Sequence, residues 1–461
     1  MSNNNLLNLN WIAFLFLLLA IIIIRLCVKK MLPITFISIT TSVTAGFITF
    51  LGLGILAYSK SLYLSINIFT LLVILAYMSF LLGAIVVQIW VNKNFLTKTG
   101  EISDGSTAKV SLTFITLYAI FAIVQFLRGG GIPRAIDLFL GGYAHREYLA
   151  ELSTLQALNS GGIEAFGTNI MQGIFLCFWV VGFSKHPRYS IILYVLAILP
   201  IFVSYTSRSQ LLGQILVPIL GYYTFFRPSR HVLITQIAIF TVSILFFFSW
   251  NSAIRLGLVY DATVERFISD TLRDSGNSVE PATAILTQNW RGDPLDYVIS
   301  LVSFLIPRSI WPEKPLLLYN VEITFLYSGA WPGPGNPIIT STMLGEAWYY
   351  FGVAGTFILM VLFGAYAQLL DVILSRTIWT LGIYYAIIYL SFILIRSTFL
   401  TYYQTGISYL VAAGIVMFIC SVIFQKQNHS VYQVRSKQIQ SDNMNLIGST
   451  MLRSHLTRRQ D

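Results

Sequence analysis

The chain has 461 residues, of which 56% are hydrophobic and 10% charged, with a mean hydropathy of +0.72. A soluble globular protein carries about 25% charged residues, so this chain lacks the polar surface to face water all round, and a soluble enzyme domain is excluded. The formal net charge of +10 would point to nucleic acid in a soluble protein. No nucleic-acid motif is present, and the excess of cytoplasmic Lys and Arg in membrane proteins accounts for the charge.

Apolar runs of about 17 to 25 residues can cross a bilayer. In chain order the candidate spans are 11–28, 33–57, 62–91, 110–127, 168–184, 190–206, 211–226, 232–250, 346–370, 378–395 and 403–425. The first run, Trp11 to Val28, is too long for a signal-peptide core, and its charges Lys29 and Lys30 follow it, so it reads as a retained helix. The pair at 190–226 is divided only by Ser207-Arg208-Ser209-Gln210. Cys27, Cys177 and Cys420 lie in apolar runs without ligand spacing, which argues against a disulfide framework or zinc site. The expectation is an all-α polytopic membrane protein of about eleven transmembrane helices. A transmembrane domain would occupy 1–425, and 426–461 would form a basic, disordered cytoplasmic tail.

Lysine and arginine in short loops orient the spans. Lys29/Lys30, Lys93/Lys98/Lys109, Lys185/Arg188, Arg227/Arg230, Arg376 and the tail fall on alternate ends, the expected cytoplasmic side, which puts the N-terminus outside and the C-terminus inside. Of the twelve basic residues assigned outside, ten are arginine, a preference that topology alone does not require. Two outer loops are long, about 128–167 and 251–345, and loops of that length are usually functional. Within the second, Tyr297 to Ile306 is apolar but too short to span, and reads as an interfacial or re-entrant piece.

No P-loop, H-E-x-x-H or D-x-D pair is present, and the cytoplasmic loops hold few acids (Glu101, Asp104, Asp371). Chemistry is therefore expected outside, on a substrate activated elsewhere and delivered on a lipid. Arginine suits a lipid-linked pyrophosphate, since its planar fork binds phosphate oxygens and keeps its charge. The bland alternative is that these arginines pair with outer acids, which contributes roughly 0–1 kcal/mol per exposed pair. Arg208 and Arg396 stand at short outer hairpins, where snorkelling to the interface is the competing explanation. The most specific stretch is Ile306-Pro307-Arg308-Ser309-Ile310-Trp311-Pro312-Glu313-Lys314-Pro315, whose three prolines fix a rigid path holding Arg308.

In order along the chain come G-G-G-I-P-R with G-G-Y-A-H-R-E-Y, T-S-R-S-Q-L-L, I-P-R-S-I-W-P-E-K-P, and S-T-M-L-G-E-A-W-Y-Y-F-G-V-A-G entering a helix. Together they resemble the bacterial O-antigen polymerase (Wzy) family, oligosaccharide repeat-unit polymerases. The resemblance implies a metal-independent, cofactor-free glycosyltransferase with a GT-C-like membrane fold. Its members polymerise undecaprenyl-pyrophosphate-linked repeat units into O-antigen, capsule or exopolysaccharide at the outer face of the bacterial inner membrane. Related ligases carry a histidine about eleven residues before a G-x-x-G such as Gly352 to Gly355. Ser341 stands there in this chain, which counts against a glycan ligase, and a flippase or transporter is the alternative of another class.

The expected site has Arg146, Arg208, Arg255, Arg291 and Arg396 on the pyrophosphates, with Arg308 counted among the catalytic groups. Glu346 is the first choice for the base that takes the acceptor's proton; helix-dipole stabilisation is the competing explanation for it. His145, the only histidine assigned outside, is the second choice. The expected partners are the lipid-linked glycan as donor and acceptor, the bilayer and, as a further candidate, a chain-length regulator.

Overall fold

The computed structural model describes residues 3–29, 31–32, 38–57, 63–94, 105–128, 130–132, 163–203, 208–226, 279–303, 319–331, 341–375, 377–396, 398–400 and 402–420, with a few isolated positions besides. Among them no strand occurs. The first half comprises α1 (Asn3–Cys27), α2 (Ile39–Gly46), α3 (Leu53–Ala57), α4 (Tyr63–Asn94), α5 (Gly105–Arg128), α6 (Ile163–Lys185), α7 (Pro187–Val203) and α8 (Arg208–Phe226). Then follow α9 (279–288), α10 (Pro294–Ser303), α11 (Tyr319–Ser328), α12 (Met343–Leu374), α13 (Ile378–Leu394) and α14 (Tyr402–Cys420).

Among the described residues, six stretches are long and apolar enough to cross a membrane: Ile39–Leu56, Asn67–Val91, Lys109–Arg128, Phe166–Lys185, Met343–Leu374 and Tyr402–Cys420. Their outward faces are apolar too. Leu117, Leu127, Ile358, Leu362 and Phe418 expose between 61% and 70% of their surface, an arrangement that suits lipid and not water. The chain is an all-helical protein built as a polytopic membrane protein is. The expected span at 232–250 and the tail at 426–461 lie outside the described residues.

Where the sequence predicts one span over 33–57, the structure has α2, a π-helical turn over Phe47–Gly52 and α3. Ser38 starts it, its Oγ accepting from Thr41 N at 3.1 Å, as an N-cap serine does. Asp371, expected in a cytoplasmic loop, instead lies inside α12 and is 8% exposed.

The core is a close pair, α4 against α12, running parallel. Phe69 meets Trp348 edge-on at 5.6 Å near one end, and Gln368 Nε2 donates to Gln88 Oε1 at 2.7 Å near the other. Between these ties, two glycines let the backbones touch. A Cβ on Gly83 would overlap the Val361 carbonyl oxygen, and one on Gly364 would overlap that of Phe80. Lipid offers no hydrophobic drive between helices, so close packing through small residues holds such a pair together. On the far side α13 packs on α2, α6 and α8.

Candidate functional site

The helix α12 is broken near one end. Gly352 has φ 67° and ψ −175°, a conformation open to glycine and costly for other residues. In a continuous helix the Trp348 and Tyr349 carbonyls would accept from the N–H groups of Gly352 and Val353. Here Arg291 Nη1 donates to Trp348 O at 2.7 Å, and Gly292 N donates to Tyr349 O at 2.9 Å. The residues beyond the break, 353–374, span roughly 33 Å at 1.5 Å each, close to the 30 Å or so of a hydrocarbon core. The first nine residues of α12 therefore form a separate piece at the boundary.

Local sequence chemistry aims Arg291 at this break. Asn289, with φ 54°, closes α9 in the left-handed conformation that asparagine tolerates at helix ends. Asp293 Oδ1 accepts from Leu295 N at 2.8 Å, capping α10, and Pro294 takes the first helical position. Stop and start signals thus flank a five-residue turn at 289–293, with Arg291 at its centre and exposed. Sequence reasoning placed Arg291 on a long loop and missed this turn, although Asn289, Asp293 and Pro294 spell it out.

Glu346 lies in the first turn of the same piece, behind the N-cap Thr342, whose Oγ1 accepts from Gly345 N at 3.1 Å. It is 2% exposed. Its carboxylate reaches across to the start of the last helix, where Phe399 N donates to Oε2. Tyr402 N bonds to Thr398 O at 3.4 Å, so Phe399 and Leu400 carry first-turn N–H groups, which have no partner inside their own helix. A second tie, Met343 N to Ile395 O at 3.2 Å, flanks the turn that holds Arg396.

Aromatic rings and hydroxyls close over the acid. Tyr297 from α10 packs on Tyr350 at 4.7 Å and Phe351 at 5.2 Å, and Tyr319 from α11 packs on Tyr349 at 5.6 Å. Among the described residues, the hydroxyls of Tyr297, Tyr319 and Ser341 and the Trp348 indole N–H are buried without a protein hydrogen-bond partner. The Tyr297 hydroxyl comes near enough to Glu346 to feel its charge but does not reach hydrogen-bond geometry. Burial, with the Glu346 charge adding to it, lifts both phenols well above the ordinary tyrosine range. They keep their protons and remain donors. Tyr349 Oη donates to Glu322 Oε2 at 3.1 Å, tying α11 to the same piece.

Of the expected site residues, Arg291, Glu346 and Arg396 meet the same end of α12. Arg208 opens α8 instead of sitting in a loop, and its side chain lies outside the described residues. His145, Arg146, Arg255 and Arg308 are also outside them. No group of three His, Cys, Asp or Glu among the described residues is arranged to hold a metal ion.

The opposite end of α12 borders a cleft of about 440 Å³ lined by Leu32, Gln88, Thr224, Gln368, Asp371 and Tyr384 among others. Its polar atoms largely answer one another. Asp371 accepts from Ile39 N at 2.8 Å, Thr40 N at 3.3 Å and Tyr384 Oη at 2.7 Å, while the two glutamines bond each other. That is a structural polar knot, whereas the Glu346 end leaves donors unspent. No family model matches this chain, and neither a curated protein nor a solved structure does.

Proposed function

We propose that this chain is a membrane glycosyltransferase that polymerises lipid-linked oligosaccharide repeat units at the outer face of a bacterial cytoplasmic membrane. The observation that carries the reading is that two arginine-bearing turns are both tied to the broken piece of α12. Arg291 arrives through its bond to Trp348 O, and Arg396 through the bond from Met343 N to Ile395 O. The Arg291 guanidinium uses one nitrogen on the backbone, which leaves the rest of its fork, facing outward, for phosphate oxygens.

In this reading the donor glycan arrives on undecaprenyl pyrophosphate. A hydroxyl of the acceptor unit attacks the anomeric carbon, the bond to the pyrophosphate breaks, and the departing pyrophosphate gathers negative charge. Fixed guanidinium groups at that point lower the barrier because their charge is in place beforehand. Arg291 and Arg396 are assigned to this task, with Arg146, Arg208, Arg255 and Arg308 as further cations from the outer loops. The acceptor's proton passes to a base, for which His145 is a candidate. No metal or cofactor enters the scheme.

A ligase acting on the same lipid-linked chain, and a flippase moving it, are the competing functions. A transporter needs polar residues along a path through the bilayer centre. In α12 the buried acids Glu346 and Asp371 stand near its two ends, which favours the enzyme. The test is the surface polysaccharide of a deletion strain, separated on a gel. Loss of a polymerase leaves a single repeat unit attached to its acceptor. Polymer retained on the lipid carrier would instead identify a ligase, and absence of glycan outside would identify a flippase.

A further inference from the structure

We infer that Glu346 is a positioning residue. From the start of the broken helix α12, its carboxylate caps the N-terminus of the last membrane helix and so fixes the turn that carries Arg396. The inference rests on the glycan-polymerase reading for its effect on activity, and on geometry alone for the cap.

Three observations lead here. The first N–H groups of a helix have no partner within it, and in an apolar setting each needs an acceptor from elsewhere. Among the described residues, Glu346 supplies that acceptor for Phe399. A carboxyl oxygen at a helix start also meets the positive end of the helix dipole. The turn between α13 and the last helix is therefore clamped on both sides. Ile395 O accepts from Met343 N, and Phe399 N donates a hydrogen bond to Glu346 Oε2. Arg396 stands between the two clamps, with its own N–H bonded to Ile393 O at 3.0 Å. Phe399 is further held edge-on against Phe363 at 6.0 Å, which fixes the last helix to α12 below the break.

A carboxylate turned onto the Phe399 N–H at 2% exposure is poorly placed to collect a proton from an acceptor sugar. It is well placed to keep a guanidinium at a set depth. A misplacement on the order of 1 Å in such a group costs about a hundredfold in rate, so the cap matters to function without touching substrate.

The experiment compares Glu346→Gln and Glu346→Ala in purified, lipid-reconstituted protein. It follows elongation of a lipid-linked oligosaccharide and, separately, thiol labelling of Arg396→Cys in each background. Glutamine keeps a carbonyl oxygen for a first-turn N–H. It should retain most of kcat, with a pH–rate profile of unchanged shape. Alanine should lower kcat and kcat/KM about ten- to hundredfold and speed labelling at position 396 several-fold, while glutamine leaves labelling slow. If Glu346→Gln stops turnover while labelling at 396 stays slow, the carboxylate does chemistry and the inference is wrong. If Glu346→Ala leaves labelling at the wild-type rate, the cap does not hold the turn, and the inference again fails. Should the wild-type protein elongate no lipid-linked glycan, the functional reading falls, while the labelling arm still decides the cap.

Discussion

Glu346 and Asp371 stand near the two ends of α12, and each caps the first turn of a different helix. Glu346 takes the N–H of Phe399; Asp371 takes those of Ile39 and Thr40. Twenty-five positions separate them, roughly 38 Å along a helix. One long element thus anchors the start of α2 near one end and the start of the last helix near the other. A carboxylate serves where an ordinary serine or threonine cap would leave several orphan N–H groups.

The Asp371 knot should be structural. Asp371→Ala removes the acceptor for two backbone N–H groups and the Tyr384 hydroxyl. The expected loss is on the order of 2–3 kcal/mol, the range for hydrogen bonds to a charged group. A lower thermal midpoint in detergent and faster exchange of the Ile39 and Thr40 amides would report it. An unchanged midpoint would mean that water replaces the cap freely.

The contact between α4 and α12 should tolerate no side chain. Gly364→Val puts branched atoms into the Phe80 carbonyl, and Gly83→Val does the same at Val361. Each should lower stability by about 1–3 kcal/mol, the usual cost of overpacking, and alanine at either position should cost less than valine. Combined in one chain, the two changes should be less than additive, because one opening of the pair relieves both. Thermal unfolding of the two single variants and the double variant measures this. Full additivity would place the two glycines in independent contacts.

Much of the fold can be read in the sequence because apolar length is a strong signal. The runs at 62–91, 110–127 and 168–184 are helices at 63–94, 105–128 and 163–185. The break at Gly352 cannot be read that way, because Trp348 to Val361 is one apolar run in which hydropathy passes straight over a conformational change. Nor can the partners of Glu346 be read, since Phe399 is fifty-three residues away and offers only its backbone N–H. The turn carrying Arg291 was legible, in the caps Asn289 and Asp293 and in Pro294, but a loop defined by its ends conceals short helices within it. Arg308, the most sequence-specific candidate, rests on its three prolines alone.

The arginines should differ in what they lose. Arg291→Ala frees the Trp348 carbonyl and withdraws a guanidinium, so chain elongation should fall about ten- to hundredfold. Arg291→Lys should recover little, since a point charge cannot bond the carbonyl and a phosphate in one plane. For Arg308, alanine should abolish long chains and lysine should again rescue poorly; Arg134→Ala, outside the proline frame, should matter less. Polymer length in cells, with membrane levels of each variant checked, reads all five. Near-normal polymer from Arg308→Ala would remove Arg308 from the site.

The last prediction is the side on which each helix end lies. Lysine and arginine gather at the cytoplasmic ends of membrane helices, and the sequence assigns Lys29, Lys93, Arg227 and Arg376 to that side. Those four belong to segments far apart in the chain, yet residues a few positions from each line one cleft: Leu32, Gln88, Thr224 and Ser375. The edge-on contact of Phe178 with Trp379 at 5.8 Å brings the Lys185 end of α6 toward the start of α13. The described residues next to those positions therefore share one end of the bundle. Glu346, Arg291 and the Arg396 turn lie toward the other end, because α12 runs from Glu346 to Asp371. In intact cells, an impermeant thiol reagent should label cysteines placed near Asp274 and Glu151 and miss those near Arg188 and Arg230. Permeabilised cells should show the missing positions, which separates an inside location from a buried one. Labelling of position 230 in intact cells would invert or break the arrangement and move the arginine site away from the outer face.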